Sequence, residues 1–398
     1  MTEQHITESK IFIIAGEASG DQLGYGLMGA IKQLEPSIKF FGVGGSAMED
    51  CAQFKSIFPM SDIAVMGFIP VMLKLKSLLK RINQISQEII SMQPDLLVII
   101  DSPDFTHRVA KKVRRLAPYI PIINYVSPTV WAWRPGRARK MRSYIDHLLA
   151  VLPFEPDVHL KLGGPPCTYV GHPLIKRLSE LQPNEFEQAQ RASSSPLVLV
   201  LPGSRRSEIY ALMPIFGDAI ASMSTKNPNF RFALPAVPHV RADIMKLIES
   251  WSVKPIIVDG EENKYIAFRQ ACGAMAASGT VTLELALAQI PMVTAYKVSK
   301  LEELFIRALA NIKSAILPNI ILNKQIVPEF FQENCNSKNI SEALLLLIEN
   351  ATERNNQINA FKQVTELMQV KGSNPNEQAA KIILSIIKST VCPLKQKY

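Results

Sequence analysis

The chain has 398 residues, 47% of them hydrophobic and 20% charged, which is the composition of a soluble globular protein long enough for two domains with separate cores. A net charge of +9 favours contact with something anionic: phosphates, nucleic acid or an acidic membrane face. Cys51, Cys167, Cys272, Cys335 and Cys392 are scattered without any C-x-x-C, which excludes a disulfide framework and a zinc knuckle and fits a reducing cytoplasm.

No signal peptide is expected, because Met1 to Lys10 is polar and the apolar run after it is short. Lys10 to Ala15 predicts a strand, followed by Gly16-Glu17-Ala18-Ser19-Gly20-Asp21 and a helix through Leu34. Strand, glycine turn and helix open a doubly wound α/β domain. The glycines match neither G-x-G-x-x-G nor a Walker A sequence. Lys39 to Phe41 is the next strand. From Pro70 to Ile85, Val71, Leu75, Leu78, Ile82 and Ile85 recur at helical spacing with Lys74, Lys76, Lys80 and Arg81 between them. Such a helix either lies in a membrane interface or packs on its own sheet.

Asp95 to Ile100 predicts a core strand that delivers Asp101-Ser102-Pro103-Asp104-Phe105 to the carboxyl edge of a parallel sheet, where open α/β folds bind ligands. Ile120 to Val126 repeats the pattern and ends in Ser127-Pro128-Thr129-Val130-Trp131-Ala132-Trp133-Arg134. Between Asp104 and Asp146 there is no acidic residue, against ten Lys and Arg. A run this one-sided points to an anionic partner. Trp131 and Trp133 beside it suit either an interfacial aromatic belt or base stacking. His147 to Leu152 is a further strand. Gly171-His172-Pro173 closes the first half, and the polar stretch Ser179 to Ser195 reads as the boundary.

Leu197 to Leu201 restarts the logic, followed by Pro202-Gly203-Ser204-Arg205 and a helix. Gly and Ser allow close backbone approach, and Arg205 can clamp a phosphate with its planar fork. Arg231 to Pro235 and Pro255 to Asp259 are strands. Gln270 to Tyr296 is apolar apart from Glu284, but Gly273, Gly279 and Pro291 break it into strand, turn, helix and strand, so no spanning helix is expected. Its Ala277-Ser278-Gly279-Thr280 turn offers backbone donors and hydroxyls to a diphosphate, and Glu284 can accept ribose hydroxyls; a plainly capped core helix fits the same residues. Leu317 to Asn323 reads as an apolar loop, and helices fill Ile340 to Gln369 and Glu377 to Thr390.

Two such halves describe an α/β protein of two Rossmann-like domains facing across a cleft. The predicted boundaries are 1–178 and 179–366, with a C-terminal helix at 367–398 whose return to the first domain the sequence leaves open. No D-x-D motif is present, so no metal and no cofactor is expected, and leaving-group charge falls to Arg205. This combination suits transfer of a sugar from a nucleotide diphosphate.

The chain resembles the lipid-A-disaccharide synthase family of GT-B-fold glycosyltransferases over nearly its whole length. The most specific carriers are Gly16-Glu17-Ala18-Ser19-Gly20-Asp21 and Ser127-Pro128-Thr129-Val130-Trp131-Ala132-Trp133. Asp101 to Phe105, Gly171-His172-Pro173, Leu201 to Arg205, Ala277 to Thr280 with Glu284, and Leu317-Pro318-Asn319 complete the match. The resemblance implies an inverting transfer from UDP-2,3-diacylglucosamine to 2,3-diacylglucosamine 1-phosphate, giving lipid A disaccharide 1-phosphate and UDP. Asp104 is then the general base, with Asp101 the alternative, and Arg205 stabilises the departing UDP. Ser204, Ser278, Gly279, Thr280, Glu284 and Asn319 line the donor side, and Glu17, Ser19 and Asp21 the acceptor side. His172 shapes the domain junction. Acylated substrates imply an anionic membrane surface as partner, no nucleic acid, and a cytoplasmic enzyme on the inner membrane of a Gram-negative bacterium; a homodimer stays open. The open alternatives are a UDP-sugar epimerase of the same architecture, which needs no apolar basic helix, and a basic nucleic-acid-binding protein.

Overall fold

A computed structural model describes residues 9–51, 54–63, 75–298, 314–370 and 374–391, the side chains of 75, 390 and 391 excepted. The chain divides into two compact units, Met1–Pro173 with Val370–Tyr398, and Leu174–Gln369.

The first unit is built on a parallel six-stranded sheet in the order β2-β1-β3-β4-β5-β6. Its strands are β1 (Lys10–Ala15), β2 (Lys39–Val43), β3 (Leu96–Ile100), β4 (Ile122–Tyr125), β5 (His147–Ala150) and β6 (Cys167–Tyr169). The Leu-Leu-Val-Ile-Ile of β3 is buried throughout, as expected of a parallel strand covered on both faces. The helices are α1 (Ala18–Leu34), α2 (Ser46–Glu49), α3 (Leu75–Met92), α4 (Pro103–Leu116), α5 (Gly136–Met141) and α6 (Glu155–Lys161). The C-terminal helix Pro375–Val391 packs along α1, burying Ala379, Ala380 and Ile383.

The start of the apolar basic helix, Pro70 to Lys74, lies outside the described residues. From Leu78 onward the structure corrects the interfacial reading. Ile82, Ile85 and Ile89 are buried in the unit's own core with Phe12, Leu97 and Val109, and Leu78 packs at its edge. Fully burying each isoleucine contributes about 1.5–3 kcal/mol, so this stripe is already occupied. Leu79 stands exposed beside it.

The second unit repeats the plan in the order β12-β11-β10-β7-β8-β9, again all parallel. It comprises α7 (Leu178–Leu181), α8 (Glu185–Arg191), β7 (Leu197–Leu201), α9 (Arg206–Lys226), β8 (Arg231–Ala236), α10 (Arg241–Ile248), β9 (Ile256–Asp259), α11 (Glu261–Gln270), β10 (Ala271–Ala277), α12 (Val281–Leu287), β11 (Met292–Tyr296), α13 (Leu317–Leu322), β12 (Glu329–Phe331), α14 (Ser337–Glu349) and α15 (Ala351–Met368).

Two stretches gain structure here. The polar boundary stretch Ser179 to Ser195 carries helices at the start of the second unit. Asn184 and Glu187 form a reciprocal capping box at the start of α8. The Arg191 guanidinium donates to the carbonyls of Phe268, Arg269, Ala288 and Gln289, satisfying the ends of α11 and α12 together. Leu317 to Leu322 is likewise a helix, begun with Pro318 in its first turn and ended by Asn323 in a left-handed conformation.

Candidate functional site

Each unit has one point where the chain reverses its direction of strand addition, between β1 and β3 in the first sheet and between β7 and β10 in the second. Ligands of doubly wound folds bind beyond the carboxyl ends of the strands at such a point. In the second unit a cavity of about 540 Å³ lies there, lined by the turns after both strands: Gly203, Ser204 and Arg205, and Ser278, Gly279 and Thr280. Glu208, Glu261, Lys264 and Glu284 complete its charged wall, and Pro235, Val237, Pro238 and Val258 line its apolar one.

The turn after β10 is open. Ser278 is anchored through its N–H to Ala295 O and its hydroxyl to Ala315 O. Among the described residues the N–H groups of Gly279, Thr280 and Val281 meet no acceptor. The turn after β7 is held from within. Gly203 takes φ +104°, and a Cβ there would run into the Glu208 side chain. Glu208 accepts from the N–H groups of Ser204 and Arg205 at 3.2 and 3.3 Å and pairs with the Arg205 guanidinium at 2.7 Å. Its carboxylate therefore occupies the donors that the sequence offered to a phosphate. Arg205 itself is 71% exposed. Glu284 projects from α12 and pairs with Lys264 of α11 at 2.6 Å. Neither Glu208 nor Lys264 stood out in the sequence; only the Arg205-x-x-Glu208 spacing at a helix start was legible there.

Asn319 does not line this cavity. It is buried, its Oδ1 accepts from the N–H groups of Ile326 and Val327, and its Nδ2 donates to Val327 O and Glu329 Oε1. Those bonds use its capacity to pin the chain between α13 and β12.

In the first unit the reversal point is filled by the protein's own groups. A Cβ on Gly16 would fall on the Ser102 side chain. Ser102 donates its hydroxyl to Glu17 at 3.1 Å and its N–H to Asp101 Oδ1 at 2.8 Å, from a left-handed backbone shared with Asp101. Asp104, in the first turn of α4, has a side chain 87% exposed and meets Arg137 at 3.1 Å. Asp101 is thus turned back on its neighbour, whereas Asp104 faces outward. Ser19 is exposed. Asp21 is not available to a ligand: it is buried, and its carboxylate accepts from the N–H groups of Gly45, Ala47 and Met48, capping α2 from a distance.

Of the ten cations between Asp104 and Asp146, Arg114 and Arg137 meet a carboxylate among the described residues. α4 buries Phe105, Val109, Ala110 and Val113 and turns Arg108, Lys111 and Arg115 outward. Trp131 packs edge-on against Phe154 at 5.4 Å, so it is not an open stacking platform; Trp133 is 36% exposed with Arg134 over its ring. Nearby, His159 is buried against the Ser127 hydroxyl, and burial pushes its imidazole down to about 4. Burial likewise depresses His107 and His172 to about 4, and raises the Glu155 carboxyl to about 8 despite the Leu152 N–H it accepts. No group of described residues is arranged to hold a metal ion.

Comparison with known proteins fits this geometry. In fold, the chain is similar to a putative UDP-N-acetylglucosamine 2-epimerase from Listeria monocytogenes, with a TM-score of 0.60, 14% identity and coverage of 96% of each chain. A glycosyltransferase from Rickettsia africae gives a TM-score of 0.57 at 10% identity, covering 97% of this chain and 99% of that one. Similarity in sequence is far stronger. Lipid-A-disaccharide synthase of Bradyrhizobium diazoefficiens is 46% identical over 95% of this chain and 97% of its own length. That of Rhodospirillum centenum is 39% identical over 97% and 96%. A family profile described as lipid-A-disaccharide synthetase matches residues 11–383. Two parallel sheets with a phosphate-suited turn at the reversal point of the second, together with this match along almost the entire sequence, show that the chain belongs to the lipid-A-disaccharide synthase family.

Proposed function

We propose that the protein transfers diacylglucosamine from UDP-2,3-diacylglucosamine to the 6-hydroxyl of 2,3-diacylglucosamine 1-phosphate, forming the β-1,6-linked disaccharide 1-phosphate and UDP. The observation that carries the donor side is the open turn at Gly279–Val281, sharing one cavity with Arg205 and Glu284. The backbone N–H groups and Ser278 and Thr280 receive the diphosphate, Arg205 turns from Glu208 toward the departing UDP, and Glu284 accepts the ribose hydroxyls. Ser204 shapes the opposite wall. Asp104, exposed on the first unit, takes the acceptor proton as the new bond forms, with the Arg137 guanidinium 3.1 Å from its carboxylate. Glu17 and Ser19 border the acceptor. An inverting displacement needs one such base.

Family membership favours the transferase over an epimerase. The apolar basic helix does not separate them, since the described part of its stripe is packed inward. Association with an anionic membrane face is supported instead by the exposed cations of α4 and α5 beside exposed Leu116 and Tyr119. Each basic residue near such a surface is worth about 1 kcal/mol. No helix among the described residues is long and apolar enough to cross a membrane. Incubation with both diacylated substrates tests the activity: mass spectrometry is expected to find disaccharide 1-phosphate and UDP in equal amounts, and hydrolysis or epimerisation of the donor without a disaccharide refutes it. Cosedimentation with anionic vesicles tests the membrane reading; Lys111→Glu with Arg115→Glu is expected to lower it, and unchanged binding removes this face from the account.

A further inference from the structure

We propose that Lys264 is a positioning residue for the nucleotide, fixing which oxygen of Glu284 is presented to the ribose. The inference rests on the ribose role given to Glu284 above. α11 and α12 place the two side chains on one wall of the cavity, 24% and 13% exposed, with Lys264 Nζ 2.6 Å from Glu284 Oε2. The ammonium also lies 5.3 Å from the ring centroids of Tyr265 and Phe268. Aromatic faces and a carboxylate together confine a cation that would otherwise swing on a flexible stem. Oε2 is thereby committed, while Oε1 accepts no hydrogen bond among the described residues. One oxygen is held and the other is left to receive sugar hydroxyls.

Charge gives a second reason for the pair. Glu208 and Glu261 in the same wall are each paired with an arginine; an unpaired Glu284 carboxylate would repel a diphosphate, and at 13% exposure solvent screens it poorly. Lys264 offsets that charge without removing the acceptor. An arginine would preserve the charge but its planar fork engages both carboxylate oxygens, so Lys264→Arg is not equivalent.

The test is calorimetric binding of UDP and 2′,3′-dideoxy-UDP to the full chain. The wild-type protein is expected to prefer UDP by about tenfold or more, and Glu284→Gln to lose most of that preference. Lys264→Met is expected to lower the preference about fivefold or more, with Lys264→Arg intermediate and the Lys264→Met, Glu284→Gln double variant no worse than Glu284→Gln alone. Lys264→Gln provides the same reading from a different neutral side chain, and melting temperatures confirm that each variant is folded. Preference lost in Glu284→Gln but intact in both neutral Lys264 variants overturns the role of Lys264 alone. Equal binding of both nucleotides by the wild type, or full preference in Glu284→Gln, removes the ribose reading and the proposal with it.

Discussion

The two sheets reverse direction in the same way, yet the two reversal points are used differently. In the first unit the gap beyond β1 and β3 is closed by Ser102 lying over Gly16 and bonding Glu17, and the outward carboxylate of Asp104 stands one turn away. In the second the turn beyond β10 leaves Gly279, Thr280 and Val281 with donors unspent, and a Cβ added at Gly279 would meet nothing within 4 Å. Topology determines where a ligand can sit; local side chains decide whether the place is left empty. One unit has filled its crevice with its own side chains beside an exposed acid, and the other has left its crevice open.

That contrast can be broken by substitution. The largest effect is expected at Asp104: Asp104→Asn should lower turnover by about 10²–10⁴-fold while calorimetric UDP binding stays unchanged, since the change is confined to the first unit. Unaltered turnover would return the base to Asp101 or elsewhere. Next, Asn319→Ala should cost about 3 kcal/mol in denaturant unfolding by orphaning the buried N–H groups of Ile326 and Val327; loss of UDP affinity with full stability would instead restore Asn319 to the site. A pair of matched changes addresses the turns directly. Gly16→Ala should destabilise by about 1–3 kcal/mol because Ser102 must leave its place, whereas Gly279→Ala should cost under about 0.5 kcal/mol and act on UDP binding. Equal stabilities would erase the distinction between a filled and an open crevice.

The first unit should also be the more acid-sensitive. His107 and His159 have folded values of about 4 against an ordinary 6.5, so the unfolded chain binds more protons between those values and stability falls as pH drops through that window. At pH 5 each costs about 2 kcal/mol relative to pH 8. Glu155, raised to about 8, works in the opposite sense: its protonated form stabilises at low pH and that contribution is lost as pH rises through 8. Thermal unfolding at pH 5 and pH 7 should therefore show a smaller acid penalty in His159→Gln than in the wild type, and an identical penalty would contradict the buried neutral imidazole.

Much of the candidate donor site was legible because its pieces are local. Gly203-Ser204-Arg205 and Ser278-Gly279-Thr280 each follow a buried strand directly, and Glu284 sits one turn along the next helix. The partners of those residues were less so. Glu208 is near Arg205 in sequence, but Lys264 lies 20 residues before Glu284 and is joined to it through the packing of α11 on α12. Asp21 and Asn319 misled for a related reason: a polar residue in a motif looks alike whether it meets a ligand or a distant backbone segment. The stripe at Leu78, Ile82 and Ile85 was equally ambiguous, since helical periodicity identifies an apolar face without naming what covers it.

By itself the sequence determined the alternation of strands and helices, the parallel sheets and the turns suited to phosphate, because hydrophobic period and glycine placement act over a few residues. Tertiary structure alone decided that the stretch Ser179 to Ser195 carries helices, that Asp21 and Asn319 are spent on backbone, and that Lys264 faces Glu284. Those outcomes depend on which buried donors and charges meet across long sequence separations, a choice set by the requirement that every buried polar group find a partner.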